Sequence, residues 1–308
     1  MDSLKSIQHI ISIKDFNRQQ IVDILELAIR FENLRDDRLK GCVLGTLFFE
    51  PSTRTRLSFE AAMLQLGGKV LGFADASVSS AKKGESLADG IRVSSSYVDI
   101  LVLRHPLDGA ARLASEHSSV PVINGGDGAN QHPTQTFLDL YTITKSHPEL
   151  LKGEPLKVAM LGDLRYGRTV HSLIRALTHF NVSFRLISPE SLKLPDTYID
   201  FLDRENIEYD ACQKIDDALE DVDVLYATRI QEERFPDPVE YNRVKKAYHL
   251  TPDTLKGVRE GFQLLHPLPR IQEISPKVDA LPQAAYFGQA SNGVPVRKAL
   301  LSLLLGKI

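Results

Sequence analysis

The chain has 308 residues and a net charge of −3, with 37 Lys and Arg against 40 Asp and Glu. That length exceeds the ~250–300 residues at which one hydrophobic core stops growing, so two domains are expected. A mildly acidic chain offers no global attraction to nucleic acid or an anionic membrane, and any anion must be held by a local cluster of cations. Cys42 and Cys212 stand far apart with no Cys-x-x-Cys and no His/Cys pairing, which reads as two reduced thiols in a cytosolic protein. No metal site is expected. Met1–Ile11 has mixed charge and no long apolar run, so no signal peptide is read there. The most apolar stretch, Ala299–Leu305, is far too short to span a bilayer.

In chain order, Asp15–Leu34 carries Ile21, Ile24, Leu25 and Ala28 at helical spacing, with Asp15 as its cap. An apolar run through Leu44, Leu47, Phe48 and Phe49 reads as a buried strand that stops at Glu50-Pro51. A helix follows, with Ser52 at its N-cap, Leu57, Ala61 and Leu64 as its core-facing repeat, and Gly67-Gly68 as its stop. Ser52, Thr53, Arg54 and Thr55 therefore crowd a helix N-terminus, where unpaired N–H groups and the dipole favour an anion. Hydroxyls and guanidiniums together fit a phosphate better than a carboxylate. An ordinary capped helix with solvated arginines is the plainer reading, but two hydroxyl–Arg pairs directly after a strand weigh against it.

Lys69–Phe73 is a short strand, and the polar loop Asp75–Glu85 reads equally as a solvated turn or as a segment ordered by what it binds. The strand Val98–Leu103 ends in Arg104-His105-Pro106. Val120–Ile123 is followed by a turn-rich run, Asn124–Asn130, and then by Gln131-His132-Pro133-Thr134-Gln135 at the start of a helix, with Pro133 in its first turn. A domain boundary falls near Ser146–Pro155. Beyond it, strands Lys157–Leu161, Ser183–Ile187 and Val222–Ala227 alternate with helices over 168–179 and 197–206. This alternation specifies parallel sheets covered on both faces, hence two doubly wound α/β domains. Val294–Leu305 is a final helix.

Three strand ends in the second half are also polar: Gly162–Thr169, Arg229-Ile230-Gln231 leading to Arg234, and His266-Pro267-Leu268-Pro269-Arg270. Ligands bind at the carboxyl ends of strands in such sheets. Gly162–Thr169 is one residue away from the Walker A spacing, but Arg168 replaces the lysine and Leu164, Arg165 and Tyr166 are bulky for a phosphate cradle. No Gly-x-Gly-x-x-Gly is present for a dinucleotide. The collected candidates are Ser52, Thr53, Arg54, Thr55, Arg104, His132, Gln135, Arg168, Arg229 and Gln231, with Lys83 from the loop. They include no activated nucleophile, carboxylate pair or metal ligand set. Such a site works by positioning and electrostatic stabilisation of a polyanionic transition state.

Ser-Thr-Arg-Thr-Arg after a strand, Arg-His-Pro, His-Pro-Thr-Gln and His-Pro-Leu-Pro-Arg, in this order, resemble the aspartate and ornithine carbamoyltransferases. The loop residues Ser79, Lys82, Lys83, Gly84 and Glu85, with Gly-Asp-Leu-Arg-Tyr-Gly-Arg-Thr-Val-His and Thr-Arg-Ile-Gln-Glu-Glu-Arg, point to the aspartate branch. The motifs run from residue 48 to about 298. Ornithine enzymes characteristically carry His-Cys-Leu-Pro where this chain has Pro267, and the cations Arg168, Arg229 and Lys83 would repel an amine side chain.

The resemblance implies transfer of the carbamoyl group of carbamoyl phosphate to the α-amine of L-aspartate, an early step of pyrimidine biosynthesis, without a cofactor. It implies that Ser52, Thr53, Arg54 and Thr55 hold the phosphate, and that Thr55, Arg104 and His132 bond the carbonyl oxygen. Gln135 and the backbone at Pro267, Leu268 and Pro269 would hold the carbamoyl amide, and Arg168, Arg229 and Gln231 the aspartate carboxylates. Ser79 and Lys83 match a loop lent by a neighbouring subunit, so a cytoplasmic homotrimer with shared active sites is implied, and a separate regulatory chain stays open. Glu50, Arg234 and Arg168 match a set that ties the domains together. Residues 1–134, with the helix 291–308 packing back, form the expected carbamoyl phosphate domain, and 150–288 the aspartate domain. The loop Phe235-Pro236-Asp237-Pro238 departs from the pattern, and no family contacts are carried onto it.

Overall fold

The computed structural model describes residues 2–78, 80–215, 218–230, 238–244 and 247–308. Two compact units result: unit 1 is Met1–Tyr141 with Ser291–Ile308, and unit 2 is Thr142–Ala290.

Unit 1 is built on four parallel strands, β1 (Val43–Phe48), β2 (Lys69–Phe73), β3 (Ile100–His105) and β4 (Val122–Asp127), in the order β2-β1-β3-β4. Around them run α1 (Arg18–Arg30), α2 (Thr53–Gln65), α3 (Leu87–Ser95), α4 (Ala110–His117) and α5 (Pro133–Ser146), and α10 (Gly293–Leu304) returns at the end of the chain. The apolar central strands β1 and β3 are buried until β3 emerges at Arg104 and His105. α10 packs on α1 and α2, so the core of unit 1 joins residues from both ends of the sequence.

Several expectations change here. α1 is capped by Asn17, whose Oδ1 accepts the Gln20 N–H at 2.9 Å while Gln20 Oε1 accepts the Asn17 N–H at 3.0 Å, a reciprocal capping box. Asp15 instead ends a 3-10 turn and pairs with Arg112 at 2.7 Å. In α2 the core face is Thr55, Phe59, Ala62 and Met63, whereas Leu57 and Leu64 are 51% and 60% exposed. Both stripes have helical periodicity; the bulkier face, with Phe59 and Met63, is the one that meets the core. The run read as a turn after Ile123 is strand as far as Asp127, because Ile10 pairs alongside it and Asn124 and Asp127 are satisfied internally. The strap at Ile10 also covers a sheet edge that would otherwise present unpaired N–H and C=O groups.

Unit 2 carries β5 (Leu156–Leu161), β6 (Val182–Ile187), β7 (Tyr209–Cys212), β8 (Val224–Ala227) and β9 (Gln263–Leu265), all parallel, in the order β7-β6-β5-β8-β9. Its helices are α6 (Arg168–Leu177), α7 (Asp196–Arg204), α8 (Pro238–Val244) and α9 (Tyr286–Ser291). Arg185 on β6 bridges Asp210 on β7 and Asp221 ahead of β8, each at 2.7 Å. Among the described residues no helix is long and apolar enough to cross a membrane.

Each strand order reverses once, between β1 and β3 in unit 1 and between β5 and β8 in unit 2. Such switch points open a crevice at the carboxyl ends of the strands, because the connections on either side lead to opposite faces of the sheet. Glu50–Thr55 follow β1 and Arg104 is the penultimate residue of β3, while Gly162–Arg168 follow β5 and Arg229 follows β8. The polar strand ends of the sequence thus stand at the crevice of their own sheet.

Candidate active site

In unit 1, Ser52 occupies the N-cap of α2 with an extended backbone (φ −155°, ψ 105°), and its hydroxyl makes no cap hydrogen bond. The first-turn N–H groups of a helix have no intrahelical partner, so this terminus offers donors to an anion. Thr53 and Arg54 are exposed, and Thr55 is buried with its Oγ1 3.4 Å from His132 Nε2. Arg104 is held from two sides: its Nη2 lies 2.8 Å from Glu50 Oε2, and its Nη1 donates to the Gly125 carbonyl at 3.2 Å. The approach to Glu50 is an ion pair without hydrogen-bond alignment, since Oε2 accepts no hydrogen bond among the described residues. Burial pushes the Arg104 guanidinium below its ordinary value, Glu50 opposes this, and the charge of Arg54 adds to it. Burial likewise lowers Arg54. Two partly desolvated cations that repel one another are relieved by an anion between them.

His132 is buried, with Nδ1 3.5 Å from Thr134 Oγ1. The turn that delivers it is organised by Asp127, which the sequence reading passed over. Asp127 Oδ1 accepts the Asn124 amide at 2.9 Å and the Gln131 N–H at 3.0 Å, and Oδ2 accepts the Gly109 N–H at 2.9 Å. A buried acceptor-only carboxylate saturated in this way fixes the backbone on both sides of it. The available signal was an Asn and an Asp at the end of a strand with glycines between them. Gln135 donates through Nε2 to Asp139 Oδ1 at 2.8 Å, which sets the direction of its amide. Lys83 is the exposed last residue of a 3-10 turn, Ser80–Lys83. Ser79, Gln231 and Arg234 lie outside the described residues, as do Phe235, Pro236 and Asp237. Glu50 has its described partner, Arg104, inside unit 1.

In unit 2, Gly162 (φ +113°) closes the gap between the ends of β5 and β8, and a Cβ there would stand 2.3 Å from the Thr228 carbonyl oxygen. Only glycine permits that approach. Thr228 Oγ1 donates to the Leu161 carbonyl and accepts the Asp163 N–H, each at 3.2 Å. The Walker-like loop is no phosphate cradle: Leu164 is fully buried, its N–H goes to the Leu192 carbonyl, and Asp163 Oδ1 accepts the Tyr166 N–H at 2.9 Å. Arg168 is the half-buried first residue of α6. Arg229 opens onto a cavity of about 290 Å³ that is also lined by Gly162, Tyr241, Asn242, Tyr248 and Glu273. After β9, the chain turns at Pro267-Leu268-Pro269, with a cis bond before Pro269 and Leu268 in the left-handed region (φ +55°). That conformation costs a residue with a Cβ about 1–2 kcal/mol, so the surroundings must hold it.

Two parallel sheets with cations, hydroxyls and amides gathered at their switch points, and no nucleophile among the candidates, define a group-transfer enzyme that acts on an anionic substrate by positioning and electrostatics. Comparison with known proteins makes this specific. The model of the carbamoyl-P binding domain of aspartate/ornithine carbamoyltransferases matches residues 8–145, and that of the Asp/Orn binding domain matches residues 154–304. The chain belongs to the aspartate/ornithine carbamoyltransferase family. It is 52% identical to the aspartate carbamoyltransferase catalytic subunit of Chromobacterium violaceum, over 97% of this chain and 98% of that one. Among solved structures it resembles the catalytic subunit of Methanocaldococcus jannaschii aspartate transcarbamoylase (TM-score 0.91, 51% identity, 97% of this chain and 98% of that one). It also resembles the Trypanosoma cruzi aspartate transcarbamoylase solved with N-(phosphonacetyl)-L-aspartic acid (TM-score 0.89, 35% identity, 98% of each chain).

Proposed function

We propose that this chain transfers the carbamoyl group of carbamoyl phosphate to the α-amine of L-aspartate, releasing N-carbamoyl-L-aspartate and phosphate. The observation that carries this reading is the start of α2, where an uncommitted N-cap hydroxyl and Arg54 stand with Arg104 and the Thr55–His132 contact. Relatives named aspartate carbamoyltransferase, half identical over nearly their full length, support aspartate as acceptor. So does the T. cruzi structure with carbamoyl phosphate and aspartate.

In this reading unit 1 takes carbamoyl phosphate and unit 2 takes aspartate. Ser52, Thr53, Arg54 and Thr55 hold the phosphate. The aspartate amine attacks the carbonyl carbon, and Thr55, Arg104 and His132 donate to the oxygen as it becomes an oxyanion. One such donor is worth about 2.7–4 kcal/mol of transition-state stabilisation. Collapse breaks the C–O bond to phosphate, which leaves with the amine proton. Gln135 and the carbonyls of Pro267 and Leu268 orient the carbamoyl amide, with Pro269 completing the turn. Arg168, Arg229, Gln231 and Lys83 meet the two carboxylates, and Glu50 and Arg234 serve domain closure.

The reading extends to a cytoplasmic homotrimer that supplies pyrimidine biosynthesis, with Ser79 and Lys83 lent to a neighbour's site. The outward stripe Leu57 and Leu64 on α2, and the exposed position of Lys83 beyond the edge strand β2, support an interface there. Mixing inactive Lys83→Gln chains with inactive Arg54→Ala chains should restore activity in hybrid trimers. No recovery in hybrids verified by mass would place Lys83 in its own chain's site. For the reaction itself, phosphate release from carbamoyl phosphate should accelerate with aspartate and stay at background with ornithine. The reverse pattern would reject the assignment.

A further inference from the structure

We propose that His266 and Glu273 form a positioning pair that sets the Pro267–Leu268 carbonyls for an acyl donor bearing an –NH2 group, and so makes the site selective for a carbamoyl over an acyl phosphate. The inference rests on the reading above in one respect, that the amide of the donor binds at these carbonyls.

His266 is 1% exposed, and its contacts leave it no freedom. Its backbone N–H donates to Gln289 Oε1, its Nδ1 accepts the Leu268 N–H, and its Nε2 donates to Glu273 Oε1, each at 2.8 Å. An Nδ1 that accepts from an amide carries no proton, so the tautomer is Nε2–H. Glu273 Oε2 in turn accepts the N–H groups of Ile271 and Gln272 at 3.0 Å each. Burial pushes the imidazole down from its ordinary value, with Arg270 and Arg229 adding to this and Glu273 opposing. Burial pushes the Glu273 carboxyl up, but the hydrogen bonds from His266 and the backbone outweigh it and leave it below the usual range. The pair is a neutral imidazole on a carboxylate.

The consequence lies in the turn. Pro267 and Pro269 have no N–H, so Leu268 holds the one donor of the tripeptide, and His266 takes it. Among the described residues no backbone N–H bonds the carbonyl of Pro267 or Leu268. Both residues are half-exposed, and Leu268 is in the left-handed region. Two acceptors, with the only local donor withdrawn and the backbone clamped through His266 to Glu273, match an –NH2 group with two N–H bonds. A methyl group in its place would leave both carbonyls unpaired. A satisfied core histidine would account for the burial of His266. The Nδ1 contact recurs at His105, which accepts the Leu107 N–H at 3.1 Å across Pro106; what His266 adds is an Nε2 held at 2.8 Å by Glu273, itself fixed by two backbone N–H groups.

The test compares carbamoyl phosphate with acetyl phosphate, in which methyl replaces the amide, using phosphate release with aspartate in the full-length enzyme. Wild type should prefer carbamoyl phosphate by about 100-fold or more in kcat/KM. His266→Gln, which moves the amide away from the Leu268 N–H, should lose roughly 10- to 100-fold with carbamoyl phosphate and change little with acetyl phosphate. His266→Asn, whose Oδ1 can take that N–H, should recover part of the preference. Glu273→Gln should shift it the same way by about threefold to tenfold, and serves if His266→Gln does not fold. An unchanged preference in folded variants, or an equal loss with both donors alongside a lower melting temperature, would overturn the positioning role. A wild type indifferent to the two donors would instead overturn the amide-site reading, and the proposal with it.

Discussion

In unit 1 the candidate anion site comes from four consecutive residues at one helix start, with Thr55 against His132 and Arg104 paired to Glu50 just ahead of them. In unit 2 Arg168 opens α6, beyond the loop after β5, and Arg229 stands in the segment after β8, so the two guanidiniums proposed for aspartate come from separate connections. In the proposed function the difference follows the ligands. A phosphate is compact and can be met by one helix terminus, whereas the two carboxylates of a dicarboxylate need two anchors a fixed distance apart. Contiguous sites tolerate drift of the whole element, because their parts move together. Dispersed ones depend on the sheet to keep their spacing.

The largest effect that could break this contrast is in unit 1. Arg54→Ala should lower turnover by about 2.7–4 kcal/mol, some hundred- to thousandfold, with the circular dichroism spectrum unchanged. Near-normal turnover would remove the phosphate site from α2. Next, Arg229→Ala should raise KM for aspartate by about 1.5–3 kcal/mol while the KM for carbamoyl phosphate stays put, the signature of a separate anchor. Equal changes in both constants would show that the halves are not divided by substrate.

A smaller effect should be shared. Burial lowers the imidazoles of His9 and His105 in unit 1 and of His147, His171 and His266 in unit 2 below 6.5. Below that pH the unfolded chain takes up protons that the folded chain refuses, so stability is full above about pH 6.5 and falls as the solution is acidified. Urea midpoints measured from pH 8 to 5 should be flat and then decline, with both units affected; a rise on acidification would contradict the sign. The smallest change is Asn17→Ala, which removes the capping box of α1 and should cost about 1 kcal/mol, read as a lower melting temperature with kcat intact.

Much of the frame was legible because parallel strands buried on both faces are near-continuous apolar runs, and β1, β3, β5 and β8 all read that way. Pro133 and Ser52 marked helix starts by chemistry that acts within one turn. Long-range choices were not legible. Nothing local says which of two apolar stripes on α2 meets the core, and the residue that decides it includes Phe59, which stacks under Arg297 of α10, far along the chain. Asp15 looked like a cap because its partner Arg112 is 97 residues away. α3 and α4 escaped notice, as the buried positions are few in one, Ile91 and Ser95, and small in the other, Ala110, Ala111 and Ala114. The site residues announced themselves through charge at strand ends; Asp127 did not, since its role is to saturate backbone N–H groups that only the fold assembles.

The return of α10 onto α1 and α2 gives the molecule a temporal order. A ribosome must translate all of unit 2 before it makes the helix that completes unit 1, so unit 2 has every residue it needs while its older neighbour is still missing part of its core. Synthesis therefore finishes the later half first. The helix start proposed to receive the phosphate, among the first elements to emerge, is among the last to be backed by its full packing.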